Sequence, residues 1–433
     1  MTIKKIAALL IICNIVSGGL QAFAPNNFFV PYDVNLKLPG WEDPEFWEKT
    51  PFRFGLNVEL GSTDDGRDIH GHKSNILNIY NASEAVIPML MNSSNPAATT
   101  LLQSLIAAYP GQPLDDGTRG HLKFHGDFDQ VDVTLYGRYL LPLSFAPGKF
   151  SLSMALPIRH ASVEGIQVDD QTKNILPVDL DIKAQLTGAE VFQSSIKSLG
   201  GPDLGAWSET GVGDLVAMLE WQDSYKQDKE NLKTVTLFAR LGVSIPTGLK
   251  HDEDKAFSLS FGSDGACGMP LGAGMWLDFV NNIRFGLDVD FFVLFDESRV
   301  RRLKTEEHQT EFLLLNKGDA TKDHGLTWKF NLFLQAYHFY RTFSAKFAYQ
   351  YMKHDDDRFI PRHNDFDYSV VNTDRTLSEW NMHNFIFSMN YDFFDEAESW
   401  WVKPQASLFF KIPVAGKGII NPFTFGGQLA INF

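Results

Sequence analysis

Cysteine is nearly missing from this sequence: Cys13 and Cys267 are the two among 433 residues. Cys13 lies in a leader expected to be removed, so one thiol remains. That excludes an internal disulfide and any cysteine-built metal centre. Basic charge is also short, with Lys+Arg 38 against Asp+Glu 53 and a net −15. A nucleic-acid binder normally presents a basic stripe to the phosphate backbone, so no nucleic-acid partner is expected. Beyond residue 25 no stretch approaches the roughly 18 consecutive apolar residues that a membrane-spanning helix needs. There is no Gly-x-Ser-x-Gly elbow and no glycine-rich phosphate loop. No catalytic residue, no enzyme activity and no cofactor is expected.

What is present is aromatic. Phe 36, Tyr 12 and Trp 9 sit in a chain that is 44% hydrophobic, yet its mean hydropathy is −0.16. The N-terminus has an export layout: Lys4 and Lys5, an apolar run Ile6–Val16, then small residues up to Ala22-Phe23-Ala24. This order of zones predicts a secretory signal peptide over residues 1–24, with cleavage after Ala22 equally open because Pro25 is awkward for the peptidase. Its removal takes two lysines and no acid, leaving −17. Residues 25–51 are expected to form a periplasmic N-terminal segment.

From residue 52 the dominant hydrophobic period is two. In Asn282–Phe295, Ile283, Phe285, Leu287, Val289, Phe291, Val293 and Phe295 alternate with Arg284, Asp288 and Asp290. Similar alternation runs through Phe52–Leu60, Thr234–Ile245 and Leu326–Ala336. Many of these segments exceed ordinary strand length and match the roughly 9–11 residues of a tilted strand crossing a bilayer. Twelve strands are predicted: Phe52–Leu60, Gly120–Leu141, Lys149–His160, Gly213–Gln222, Lys233–Pro246, Gly268–Phe279, Asn282–Phe295, Leu326–Phe339, Arg341–Met352, Trp380–Phe393, Trp400–Ile412 and Ile420–Phe433. A bulge or hidden turn is expected near Phe128-Asp129-Gln130. Connections alternate long and short, the asymmetry of an outer-membrane barrel; the hairpin at Ala415–Gly418 is the exception. Residues 52–433 are therefore expected to form an all-β, transmembrane, antiparallel up-and-down β-barrel of about twelve strands.

The long outer loops carry helical insertions. Asn95-Pro96 reads as N-cap and first helical residue before Leu101, Leu102, Leu105 and Ile106. A shorter stripe of Val191, Phe192, Ile196 and Leu199 precedes Gly200-Gly201. These apolar faces are expected to pack over the barrel mouth or on one another rather than to bind cargo. Trp221, Trp276, Trp328, Tyr337, Tyr340, Tyr391, Trp400 and Trp401 fall near strand ends, where interfacial girdles form. The runs at His70–His72, His251–Asp254 and His354–Asp357 hold ligand types, but no second cluster completes a shell, so no metal is expected and they read as solvated loop charge. The alternative is a divalent-cation bridge to lipopolysaccharide. Arg299, Arg301, Arg302 and Lys304 form a basic knot that meets lipid phosphates or pairs with Glu306 and Glu307.

Charged residues on the inward parity are the candidate lumen lining: Arg138, Arg159, Arg240, Arg284, Asp288, Asp290, Lys329, Lys346 and Lys403. Facing charges of opposite sign would set a transverse field; the alternative is that they pair and close the lumen. Phe425, Leu429, Ile431 and Phe433 share one face of the last strand. They resemble the C-terminal signal read by the barrel-assembly machinery.

Between Gly211 and Gly248 the chain reads GVGDLVAMLEW, a polar connection, then LFARLGVSIPTG. A Gly-x-Gly-Asp-Leu strand opening followed by a strand ending in Pro-Thr-Gly resembles the outer-membrane proteins of the phenol meta-degradation pathway family. The likeness covers about 40 residues well. It implies a transporter-like barrel for aromatic or other hydrophobic compounds, with Gly213-Asp214 and Pro246-Thr247-Gly248 in structural roles at strand ends. The expected protein is a Gram-negative cell outer-membrane channel for small solutes, with hydrophobic or aromatic ones as the candidates. Its partners would be outer-membrane lipid, lipopolysaccharide, the barrel-assembly machinery and the solute. The rival readings are a structural or adhesive surface barrel without transport and an outer-membrane hydrolase.

Overall fold

The computed structural model describes residues 50–143, 147–189, 191–340, 342–393 and 401–433. The expected leader, all but the last two residues of segment 25–51, Ala146, Arg341, the turn Asp395–Ser399 and Trp400 lie outside the described residues.

Twelve antiparallel strands close on themselves. β1 (Phe52–Thr63) pairs with β2 (His121–Leu141) on one side and with β12 (Phe423–Asn432) on the other. In chain order between them run β3 (Lys149–Asp170), β4 (Leu215–Lys226), β5 (Leu232–Ile245), β6 (Gly268–Phe279) and β7 (Ile283–Leu294). β8 (Thr327–Tyr340), β9 (Phe343–His354), β10 (Trp380–Asp392) and β11 (Lys403–Lys417) follow. Each is hydrogen-bonded to the next. The chain is a transmembrane β-barrel, as its period-two pattern requires.

The alternation sorts side chains by face. Along β7, Ile283 and Phe291 are exposed outward while Arg284 and Asp288 are buried inward. Phe54, Leu241, Leu334, Leu408 and Leu429, each more than half exposed, belong to the same outward band. So large an apolar surface is stable only against hydrocarbon. Ring pairs bound the band: Trp328 on Tyr351 toward the long loops, Tyr391 on Phe343 toward the short turns. Trp276 departs from the expected girdle. It shares the inward parity of Asp278 and is buried inside the barrel.

Several details differ from the sequence reading: β1 runs on to Thr63 and β11 to Lys417, and β12 starts only at Phe423. β2 is one unbroken strand, but its irregularity lies between His125 and Asp127, not at Phe128–Gln130. Gly126 and the left-handed Gly165 opposite supply that kink. β3 does not stop at His160; it runs on to Asp170, rising with β2 above the other strands. Gly213-Asp214 precedes β4 rather than opening it, and Trp207–Val212 forms a short strand on the upper half of β3.

The long loops fold into one cap over the mouth. It contains α1 (Val86–Leu90), α2 (Pro96–Ala108), α3 (Pro177–Ile182) and α4 (Phe192–Ser198). Asn95 caps α2 by accepting from the Ala97 amide at 2.9 Å, as its sequence predicts. Leu105 and Ile196 enter the cap core with Val86, Phe124, Phe257 and Phe312. The helices are packed there, although Ile106 stays exposed.

Candidate functional site

The barrel interior is ordered in tiers, because register fixes which inward residues stand side by side. Toward the long loops, Arg240 of β5 donates to Asp290 at 2.6 Å and to Asp288 at 3.0 Å, both on β7. Lys329 of β8 stands 3.3 Å from Asp290. These four expected lumen residues form one knot on neighbouring strands. They meet as immediate pairs rather than facing one another across the barrel, which is the pairing alternative. Arg159 lies 3.0 Å from Asp132 on the adjacent β2.

Toward the short turns, Arg284 grips Asp278 at 2.5 and 3.2 Å across the tight turn between β6 and β7. Arg138 donates to Ser151 at 2.9 Å and lies 3.4 Å from Glu220, so it too is met by a neighbouring strand. Lys346 is buried, with its ammonium 4.4 Å from the centre of the Phe333 ring. Lys403 is half-buried at the turn end of β11, in register with Asn432, whose amide donates to the Lys403 carbonyl.

Between these charged tiers lies an apolar row that the sequence reading did not anticipate. Trp276, Gly286, Phe333, Ala348 and Ile386 are successive register partners from β6 to β10. Phe238 of β5 stacks on Trp276 with centroids 4.7 Å apart, which makes the cluster continuous. Just above, an amide ladder crosses three strands: Gln350 donates to Asn331 at 3.1 Å and Asn384 to Gln350 at 3.2 Å. The inward wall of β1 and β2 is polar by contrast, with Asn57, Glu59, Thr134 and Asp132 in paired positions. The interior therefore has an apolar side and a polar side. Parity was the signal for Trp276, since its even-numbered neighbours 274 and 278 are Gly and Asp.

The cap holds most of the remaining chemistry. The basic knot is internal. Arg301 is fully buried, 2.7 Å from Glu297 and 3.2 Å from Asp264, and Arg299 also binds Asp264. Arg302 reaches Asp254 and the Glu253 carbonyl, and Lys304 lies 3.3 Å from Glu311. Their acidic partners are thus Asp264, Glu297, Asp254 and Glu311, and the burial of Arg301, Arg302 and Lys304 removes these three from lipid phosphates. Burial alone would raise the Asp264 carboxyl, but Arg299 and Arg301 hold it well below the usual range. Burial pushes Glu253 up to about 8, against those same arginines.

Two of the three His-acid runs are not solvated loop charge. His251 and Glu253 are buried in the cap. His354 accepts or donates between Thr327 Oγ1 at 2.7 Å and Asp357 at 2.8 Å, with Trp380 stacked on its ring. Lys322 adds an ion pair to Asp357 at 2.7 Å. A hydroxyl, imidazole and carboxylate in series resemble a hydrolytic triad, but here all three are buried and tie two loops to the strand tops. Among the described residues no group of His, Cys, Asp and Glu is placed to hold a metal ion.

The motif between Gly211 and Gly248 forms a joint at the rim. The Asp214 carboxylate accepts from the Gly248 amide at 3.0 Å and the Ser263 amide at 2.6 Å. The Gly213 amide donates to the Pro157 carbonyl, and a Cβ on Gly213 would lie 2.5 Å from the Phe261 carbonyl. Thr247 Oγ1 donates to the Gly213 carbonyl and accepts from the Leu215 amide.

No protein-family model matches the sequence, and no curated protein matches it significantly. Solved structures are similar in fold. An outer membrane channel from Pseudomonas putida F1 is 13% identical, with a TM-score of 0.50 over 94% of this chain and 100% of that one. The TodX deltaS2S3 mutant, a monoaromatic hydrocarbon channel, is 9% identical over 92% and 97%, with a TM-score of 0.37. A Pseudomonas aeruginosa FadL homologue is 9% identical over 88% of each chain, with a TM-score of 0.27. At 13% identity the likeness to the Pseudomonas putida channel carries the barrel fold alone.

Proposed function

We propose that this chain is an outer-membrane channel that passes small hydrophobic or aromatic solutes. The observation that carries the reading is the two-sided interior, an apolar aromatic row on β5–β10 opposite a polar wall on β1 and β2. A molecule with an apolar ring and one polar edge fits such a lining, because each side meets its own kind. The motif likeness to the phenol meta-degradation family and the fold likeness to a Pseudomonas putida channel agree with it. In this reading residues 1–24 direct export and 25–51 lie in the periplasm. Arg138, Arg159, Arg240, Arg284, Asp288, Asp290, Lys329, Lys346 and Lys403 line the path. The outward face of Phe425, Leu429, Ile431 and Phe433 is offered to the barrel-assembly machinery, and the lipid leaflets and lipopolysaccharide surround the band.

The test is planar-bilayer conductance of the purified protein, followed by flux of phenol and of glucose into liposomes. Conductance with faster entry of phenol is the expected result. A second reading, a structural barrel that transports nothing, is favoured by the local pairing of Arg240, Arg284 and Arg138 with acids. A silent bilayer decides for it.

A further inference from the structure

A hydroxyl, an imidazole and a carboxylate stand in series on the cap. Ser83 Oγ lies 3.0 Å from His121 Nδ1, and His121 Nε2 lies 3.0 Å from an Asp115 oxygen. A carboxylate only accepts, so Nε2 carries the ring proton and Nδ1 presents its lone pair to the Ser83 hydroxyl. An imidazole in that tautomer can take the proton of a serine that attacks a carbonyl. Backbone contacts fix each member. His121 opens β2, with its amide donating to the Thr118 carbonyl and its carbonyl accepting from the Gln171 amide at 2.9 Å. The pairing of Glu84-Ala85 with Leu122-His121 sets Ser83 beside the ring. The Gly117 amide donates to Asp115 at 2.8 Å and holds the carboxylate in place.

Access separates this set from the buried Thr327, His354 and Asp357. The side chains of His121 and Asp115 are 17% and 31% exposed, and Ser83 is half-buried. Among the described residues the amides of Ala82 and Ser83 donate to no other group. Both remain available to a carbonyl oxygen that gains charge next to Ser83.

We propose that Ser83, His121 and Asp115 hydrolyse carboxylic esters at the surface of the cap. The activity goes beyond the channel reading and does not depend on it. Ser83 Oγ bonds to the ester carbonyl carbon as its proton moves to His121 Nδ1. The bond from that carbon to the alcohol oxygen then breaks, and Nδ1 returns the proton to the departing oxygen. Water attacks the acyl-serine by the same route: its proton passes through Nδ1 to Ser83 Oγ, and the acid leaves. One ester and one water give one acid and one alcohol, with no oxidation or reduction. Asp115 touches no substrate; it is a positioning residue that keeps the ring turned and the proton on Nε2.

The test gives the full mature chain in detergent p-nitrophenyl acetate, and in a separate sample a fluorophosphonate that labels activated serines. The wild type is expected to turn over the ester and, by mass spectrometry, to carry the label on Ser83. Ser83→Ala and His121→Gln should each lower turnover by about 10²- to 10⁴-fold. His121→Gln should also prevent labelling, and Asp115→Ala should slow it by a smaller factor. Heat-modifiable mobility and unchanged hydrogen exchange across residues 76–90 show that barrel and cap of each variant are intact. A wild type that is not labelled at Ser83, or turnover that survives Ser83→Ala, overturns the ester site. Either result leaves the channel reading standing, because bilayer conductance is read separately.

Discussion

At the scale of single residues, the cap depends on buried charges whose partners lie far away in sequence. Arg301 is enclosed by Asp264, Glu297 and the ring of Phe359, 5.2 Å away. Asp264 has φ +55, a left-handed conformation that Asn tolerates well. Asp264→Asn therefore removes charge without adding backbone strain. Removing one partner of a buried ion pair costs about 3–5 kcal/mol because the other charge stays buried. Cap unfolding, followed by protease nicking within residues 246–326, should shift by most of that amount while heat-modifiable barrel mobility persists. Unchanged protease resistance would contradict it. The sequence showed that Arg299–Lys304 was dense in positive charge, but not where the opposite charge was. Asp264 and Glu253 sit on a different loop, and proximity in sequence pointed to Glu306 and Glu307.

At the scale of elements, legibility followed the solvent on each face. Where one face meets lipid and the other the interior, as in β5, β7 and β8, period two sets the strand to within a residue or two. Above Arg159 the pattern fails, because β3 enters the cap and Ala161, Ser162 and Val163 are all buried. A strand covered on both faces has no reason to alternate, and its upper half read as loop. The interior tiers were half legible. Parity assigned the charges to one face, but pairing with adjacent strands instead of opposite ones depends on register, which one sequence does not display. The rim joint is a case where a short motif did carry an element. Asp214→Ala would leave the part-buried Gly248 and Ser263 amides without their acceptor, a loss of up to about 1–3 kcal/mol for each. Hydrogen exchange should accelerate at those two amides and along 246–263, with β8–β10 unaffected. Asn95→Ala is a smaller test, worth about 1 kcal/mol, confined to the start of α2.

At the scale of the whole molecule, cap and barrel should respond differently to pH. Three cap loops meet at a buried hub of Glu84, Glu311 and Asp374, with Lys304 3.3 Å from Glu311 and Asn81 bonded to both glutamates. The Phe312 amide and Thr310 also face Glu84, and the Arg375 amide donates to Glu311 at 2.9 Å. Burial, with Glu311 adding repulsion, pushes Glu84 up to about 7 and Asp374 up to about 6. Glu253, in the same cap, stands at about 8. A raised acid binds its proton more tightly in the folded state than in the unfolded one. Its contribution is therefore complete below the unfolded values of 4.5 and 3.8, and is lost as pH climbs through about 6 to 8. Asp264 and Asp357 are held low by Arg299 and Lys322 against the effect of burial, so their contribution fades only in strong acid, outside this window. The buried His251 and His324 of the cap, pushed down to about 3 mainly by burial, work the other way below their unfolded value of 6.5. The expectation is therefore a cap that tightens from pH 8.5 to 6.5 over a barrel whose ladder does not change. Hydrogen exchange corrected for its intrinsic pH dependence should show this in residues 76–90 and 303–316. Glu84→Gln should flatten part of the profile, because a neutral amide has no proton to lose. A cap that loosens from pH 8.5 to 6.5, or a Glu84→Gln profile identical to wild type, would show that the hub does not set the stability of the cap.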